Sequence, residues 1–131
     1  MALPPMTYAQ LLGDKIARHK VDVWLINTGW SGGSYGQGQR INLALTRAMV
    51  KAVLSGALKD VKAKTDPIFG LNIPVACPGV PADMLQPRKT WIDVAAYDSK
   101  ARELAAMFDK NFQENAGDAP IEVKEAGPKT Q

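Results

Sequence analysis

Residues 21–40, VDVWLINTGWSGGSYGQGQR, join an apolar β-rich run to a loop with five glycines in the fourteen positions 27–40. The run VDVWLINT is rich in Val, Trp, Leu and Ile, with charge before it and glycine after it, which predicts a buried strand over 21–28. A helical pattern follows the loop. Asn42 has the chemistry of an N-cap, and Leu45, Ala48, Met49, Ala52 and Val53 recur on one helical face. Leu43, Val50 and Leu54 cover much of the other side, and a helix apolar all round is normally buried. Gly56 is a natural stop. Residues 21–56 therefore predict strand, Gly-rich loop, helix, the unit of an α/β fold.

A Gly-rich loop before a helix often holds phosphate, but the details matter. A P-loop needs G-x-x-x-x-G-K-[ST], because the lysine reaches the outer phosphates and the hydroxyl holds magnesium. Gly33 to Gly38 has that spacing, yet Gln39 and Arg40 follow. The dinucleotide fingerprint G-x-G-x-x-G also fails, since Gly36-Gln37-Gly38 runs into Gln39-Arg40-Ile41. Alone, the loop reads as a turn that needs positive φ angles.

Upstream, Thr7 and Gln10 have capping-box spacing, and Tyr8, Leu11, Leu12 and Ile16 share a helical face, giving a first helix to about His19. Downstream, KDVKAKTD at 59–66 mixes both charge signs and reads as a solvated loop. The stretch 66–91 carries five prolines. Within it IFGLNIPVA predicts one or two short strands, with Pro74 at an edge or bulge. From Asp93, the positions Tyr97, Ala101, Leu104, Ala105, Phe108 and Phe112 predict an amphipathic helix to about Asn115. Residues 117–131 form a polar, Gly/Pro-punctuated tail, expected to be loosely ordered. The expected architecture is three helices around a small, incomplete sheet whose first strand is 21–28.

Composition narrows the function classes. With 131 residues the length is that of one domain, and 46% hydrophobic with 22% charged residues is ordinary for a globular protein. The 16 basic residues are scattered among 13 acidic ones, so there is no clustered basic stripe for nucleic acid. Cys77 is the single cysteine and suits a reducing compartment, while His19 is the single histidine, which disfavours a zinc site. Neither a signal peptide nor a membrane span is legible, and the expected location is the cytoplasm.

Longer phrases carry more information than any short motif. VWLINTGWSGGSYGQGQRI followed by LTRAMVKAVLSGAL resembles the C-terminal region of ATP-dependent phosphoenolpyruvate carboxykinase. That family has an N-T-G-W-[ST]-G-G-x-Y-G-x-G-x-R-[IM] stretch leading into a T-R-A-[MI] helix. DPIFGLNIPVACPGVPADMLQPRKTW, YDSKARELAAMFDKNFQEN with EAGPK, and LPPMTYAQLLGDKIARH resemble further family blocks in the same order. The resemblance implies that residues 1–116 are the C-terminal portion of the nucleotide-binding domain, followed by the tail 117–131. It implies that this segment forms the adenine side of the ATP site, with Arg40, Ile41 and Thr46 at the matching positions.

Arg40 would lay its planar guanidinium on adenine or near the phosphates, where lysine is no substitute. Ile41 would offer backbone polar groups and an apolar edge, and Thr46 a hydroxyl. Each also has a purely structural reading. Arg40 can be a solvated loop end, Ile41 a hydrophobic staple and Thr46 a helix hydroxyl bonded to the preceding turn. Trp30 and Tyr35 can cover a ligand or anchor the loop. Cys77 reads as a small buried hydrophobe and His19 as a residue complementing a helix C-terminus.

The family converts oxaloacetate and ATP to phosphoenolpyruvate, CO2 and ADP in gluconeogenesis, a lyase (decarboxylase) reaction using magnesium and manganese. Phosphoryl transfer needs a phosphate cradle, a lysine and metal-holding carboxylates. The P-loop, metal ligands and substrate arginines lie in family segments outside this region, so no catalytic or metal-binding residue is expected here. The chain is expected to be inactive alone, with ATP and the N-terminal portion of such an enzyme as partners. The alternative is a stand-alone module that binds nucleotide weakly or docks on a separate N-terminal portion.

Overall fold

The first helix, α1 (Pro5–His19), begins earlier than the Thr7/Gln10 spacing predicts. Proline supplies a pre-set φ at the first helical position, where its missing N–H is not needed, and the capping box does not form. In this computed structural model, which describes residues 3–34 and 36–129, Lys20 closes α1 in the left-handed conformation. Arg18 occupies the last turn, where a cation meets the helix dipole favourably, and His19 beside it is exposed. The apolar face of α1 stays open to solvent at Tyr8, Leu11 and Leu12.

Residues 21–28 do not form the expected buried strand. Neither of the two sheets includes them, and Val21, Val23 and Leu25 are exposed, Leu25 by 78%. Trp24 and Ile26, on the alternate positions, are half-buried. The period of two is present, but strand backbone needs a ladder partner, and among the described residues no segment supplies one.

The loop instead contains a small antiparallel hairpin. β1 (Trp30–Ser31) pairs with β2 (Gln39–Arg40), Trp30 opposite Arg40 and Ser31 opposite Gln39. The helix α2 (Leu43–Leu54) follows, capped as expected by the Asn42 side chain, which accepts from the Ala44 N–H at 2.8 Å. Gly56 ends it: the Gly56 N–H donates to the Val53 carbonyl and the Ala57 N–H to the Ala52 carbonyl, the paired bonds of a Schellman motif. Of this helix only Ala52 is fully buried, and Leu43 and Leu54 are exposed.

A second hairpin pairs β3 (Ala63–Thr65) with β4 (Asn72–Pro74). β3 lies within the stretch expected to be loop; its partner is seven or more residues away, and pairing overrides its polar composition. Asp66 organises the turn between them, its Oδ1 accepting from the N–H groups of Ile68 and Phe69. A 3₁₀ turn (Ala82–Leu85), the short α3 (Pro87–Thr90) and the long α4 (Val94–Ala116) complete the proline-rich half. Asp93 caps α4, accepting from the Ala96 N–H at 2.9 Å. The tail carries a short α5 (Ile121–Glu125), and the Lys129 N–H donates to the Ile68 carbonyl.

Few side chains are buried among the described residues. Ala52, Leu58 and Cys77 form a small cluster, with Trp24, Met49, Val53, Val61, Val80 and Leu85 against it. Cys77 is thus the small buried hydrophobe expected from sequence, and burial pushes its thiol pKa up, away from nucleophilic use. Ala101 and Ala105 of α4, together with Ala119, are buried elsewhere, and Phe69 meets Phe108 edge to face with centroids 6.4 Å apart. The mixed α/β class holds, with three longer helices, two short ones and two two-stranded antiparallel sheets among the described residues. No helix among them is long and apolar enough to cross a membrane.

Candidate nucleotide-contact site

The Asn27 side chain sets the entry to the first hairpin. Its Oδ1 accepts from the Gly29 N–H at 2.9 Å, and its Nδ2 donates to the Trp30 carbonyl at 3.1 Å. The Ile41 N–H then donates to the Gly29 carbonyl at 2.9 Å, closing the base of the hairpin. Arg40 and Ile41 are thereby fixed at the point where the chain enters α2. Within the loop, the N–H groups of Gln37 and Gly38 donate to the Ser34 carbonyl.

Gly33 is required by close approach. A Cβ there would lie 2.8 Å from the Gly38 nitrogen and 3.0 Å from the Gln37 carbonyl carbon, both backbone atoms that cannot swing aside. Gly33→Val is therefore expected to open the hairpin and release the Ile41–Gly29 bond. Gly13→Ala, where an added Cβ meets nothing within 4 Å, should instead firm α1 by roughly 0.5–1 kcal/mol. Amide exchange of Ile41 in the two variants checks the contrast, and equal exchange would refute it.

The Arg40 side chain is exposed, and among the described residues it has no ion-pair partner. A free guanidinium is available to stack on a ring or meet an anion. Ile41 is half-buried beside it. Thr46 sits one turn into α2, its N–H donating to the Asn42 carbonyl at 3.1 Å, while its hydroxyl has no partner among the described residues. It lines a shallow concavity of about 450 Å³ with Arg47, Val50, Lys51, Leu54 and Ser55, which Arg40 does not reach. The structure thus places Arg40 and Ile41 together and Thr46 on the adjoining helix, without closing one cavity around all three. Trp30 is exposed rather than anchored on the core. Tyr35 lies outside the described residues.

A larger concavity of about 820 Å³ lies between the Gly-rich loop and the start of α4, lined by Gly32, Gly33, Gln37, Trp91, Asp93 and Lys100 among others. Sequence reasoning missed this juxtaposition, because it joins segments some sixty residues apart. No three His, Cys, Asp or Glu side chains converge into a metal-holding group among the described residues.

Residues 1–83 match the family model described as phosphoenolpyruvate carboxykinase. The sequence is 50% identical to the phosphoenolpyruvate carboxykinase (ATP) of Thermus thermophilus over 131 residues, all of this chain and 25% of the relative. It is 53% identical to phosphoenolpyruvate carboxykinase (ATP) 1 of Moorella thermoacetica over 94% of this chain and 23% of the relative. For the Caldanaerobacter subterraneus phosphoenolpyruvate carboxykinase (ATP) the figures are 54%, 98% and 25%. The chain therefore spans about a quarter of the length of the curated relatives it matches.

Proposed function

Because the chain belongs to the phosphoenolpyruvate carboxykinase family, we propose that it is the C-terminal part of an ATP-dependent enzyme of that kind and contributes the adenine side of the nucleotide site. The observation that carries this reading is the β1–β2 hairpin. It delivers the Arg40 guanidinium and the backbone of Ile41 to the entrance of α2, one turn before the Thr46 hydroxyl, both side chains without a polar partner among the described residues. Arg40 stacks on or pairs with the nucleotide, Ile41 supplies an apolar edge, and Thr46 answers a polar atom of the base.

The whole enzyme would convert oxaloacetate and ATP to phosphoenolpyruvate, CO2 and ADP, a decarboxylating step of gluconeogenesis in the cytoplasm. Magnesium and manganese would serve that reaction elsewhere. The described residues do not fit them, because their carboxylates do not cluster, and no step is routed through a metal here. Catalysis by phosphoryl transfer rests on positioned charge around the phosphates. This chain has no P-loop to provide it, so it binds without turning over.

The exposed apolar faces of α1, residues 21–25 and α2 favour assembly with the remaining portion of such an enzyme, within one polypeptide or as a separate piece. Titration with ATP, followed by amide chemical shifts, tests the nucleotide reading. Saturable shifts around residues 39–46 are expected, with a Kd on the order of 1 mM, about −4 kcal/mol for a site with one wall. Arg40→Ala is expected to abolish them. A folded chain that shows no saturable shifts, or an Arg40→Ala variant with the same isotherm, removes the reading.

A further inference from the structure

Two residues of α3 and the turn after it are tied to α4. The Arg88 guanidinium forks onto Asp98, with Nε to Oδ1 at 2.8 Å and Nη2 to Oδ2 at 2.9 Å. Trp91 meets Tyr97 edge to face at 5.6 Å. Hydrogen bonding from Arg88 holds the Asp98 carboxyl below the usual carboxylate range, so the fork persists at neutral pH and is lost only as pH falls through that lowered value.

Between these ties stands Thr90. Its hydroxyl donates to the Pro87 carbonyl at 2.7 Å, and a hydroxyl has one proton to give. The 3.1 Å contact between Thr90 Oγ1 and Ser31 Oγ therefore has Ser31 as donor and Thr90 as acceptor. The bond spans 59 positions of sequence and ends on β1, the strand paired with Gln39–Arg40. The two backbones are also in close register there. Gly32 has φ +85°, and a Cβ on it would lie 3.2 Å from the Thr90 carbonyl oxygen.

A hairpin with two residues in each strand is marginal in water without tertiary support. For β1–β2 the described support from α3 is this side-chain contact, and it acts on the strand that faces Arg40. We propose that Thr90 is a positioning residue for the nucleotide site: through Ser31 it holds the hairpin so that Arg40 and Ile41 stand where the base binds. The inference rests on the adenine-site reading above. Thr90 itself touches no nucleotide. It transmits the position of α4, by way of α3, to β2.

The test uses the 131-residue chain carrying Thr90→Val, which keeps the shape and removes the acceptor, and Thr90→Ser, which restores it. Amide exchange and the ATP titration are measured on both, beside Arg40→Ala. Thr90→Val is expected to speed exchange at Ile41 and weaken ATP roughly tenfold, the factor set by about one hydrogen bond. Exchange in α4 should stay as it was. Thr90→Ser should return both readouts to the original values, which general destabilisation would not do.

Unchanged Ile41 exchange in Thr90→Val overturns the inference. So does undiminished ATP binding in Thr90→Val when Arg40→Ala has lost it, and in that case the nucleotide reading survives. Absence of ATP binding by the unsubstituted folded chain overturns the nucleotide reading and the inference resting on it. If Thr90→Val unfolds the chain, Ser31→Ala serves as the second variant, since it removes the donor from the hairpin side of the same bond.

Discussion

Ala105→Asp is expected to unfold the packing of α4, while Ala106→Asp, one position along, leaves it standing. Ala105 is 0% exposed, whereas Ala106 faces solvent on the same helix. Both substitutions incur the same local penalty, about 0.7 kcal/mol for aspartate in a helix interior. Only the first takes a carboxylate out of water, which costs several kcal/mol even after relaxation. Against a total stability of about 5–15 kcal/mol for a domain, that difference is decisive. Thermal melts followed by circular dichroism should show Ala105→Asp losing more than about 10 °C, and Ala106→Asp only a few degrees. Equal losses would mean that the Ala101–Ala105 face is not a packed one.

The second large effect concerns solubility. Leu25 and Leu54 are 78% and 82% exposed, and each fully buried leucine is worth about 1.5–3 kcal/mol. The chain leaves that free energy unrealised, so it is expected to self-associate as its concentration rises. The double variant Leu25→Lys, Leu54→Lys should remain monomeric in sedimentation velocity to roughly tenfold higher concentration, a shift of about 1.4 kcal/mol. Its melting temperature should hardly move, because exposed substitutions usually stay within about 0.5 kcal/mol. If association is unaltered, other surfaces carry it.

These expectations show which parts of the molecule its sequence declares. Asn42 and Asp93 cap their helices as their chemistry suggests, because a cap bonds an N–H only two or three residues ahead. The periodicity from Tyr97 to Phe112 gives α4 within a residue at each end. Residues 21–28 carry an equally clear strand pattern and form none, since a ladder depends on a partner from elsewhere. KDVKAKTD fails in the opposite direction: nothing in it says strand until Asn72–Pro74 lies alongside.

The candidate site divides in the same way. Arg40, Ile41 and Thr46 are candidates through the long family-like phrases alone, and no periodicity singles them out. Glycine density marked 27–40 as a turn, yet a hairpin with Trp30 opposite Arg40 is a pairing, which composition does not encode. The Ser31–Thr90 bond was invisible because both residues are ordinary in their local settings. Thr7 and Gln10 have the spacing of a capping box but stand already inside α1, because Pro5 starts the helix two residues earlier.

The unpaired stretch 21–28 also has a mechanical meaning. It joins the left-handed end of α1 at Lys20 to the Asn27 turn that opens the hairpin, and a run without a ladder is a slack coupling between them. Once a neighbouring strand lies along it, the same eight residues become a stiff rod with α1 at one end and Arg40's hairpin at the other. Rotation of α1 would then be felt at the hairpin that carries Arg40. The state of this one linker thus sets how stiffly α1 and the hairpin are joined along the backbone.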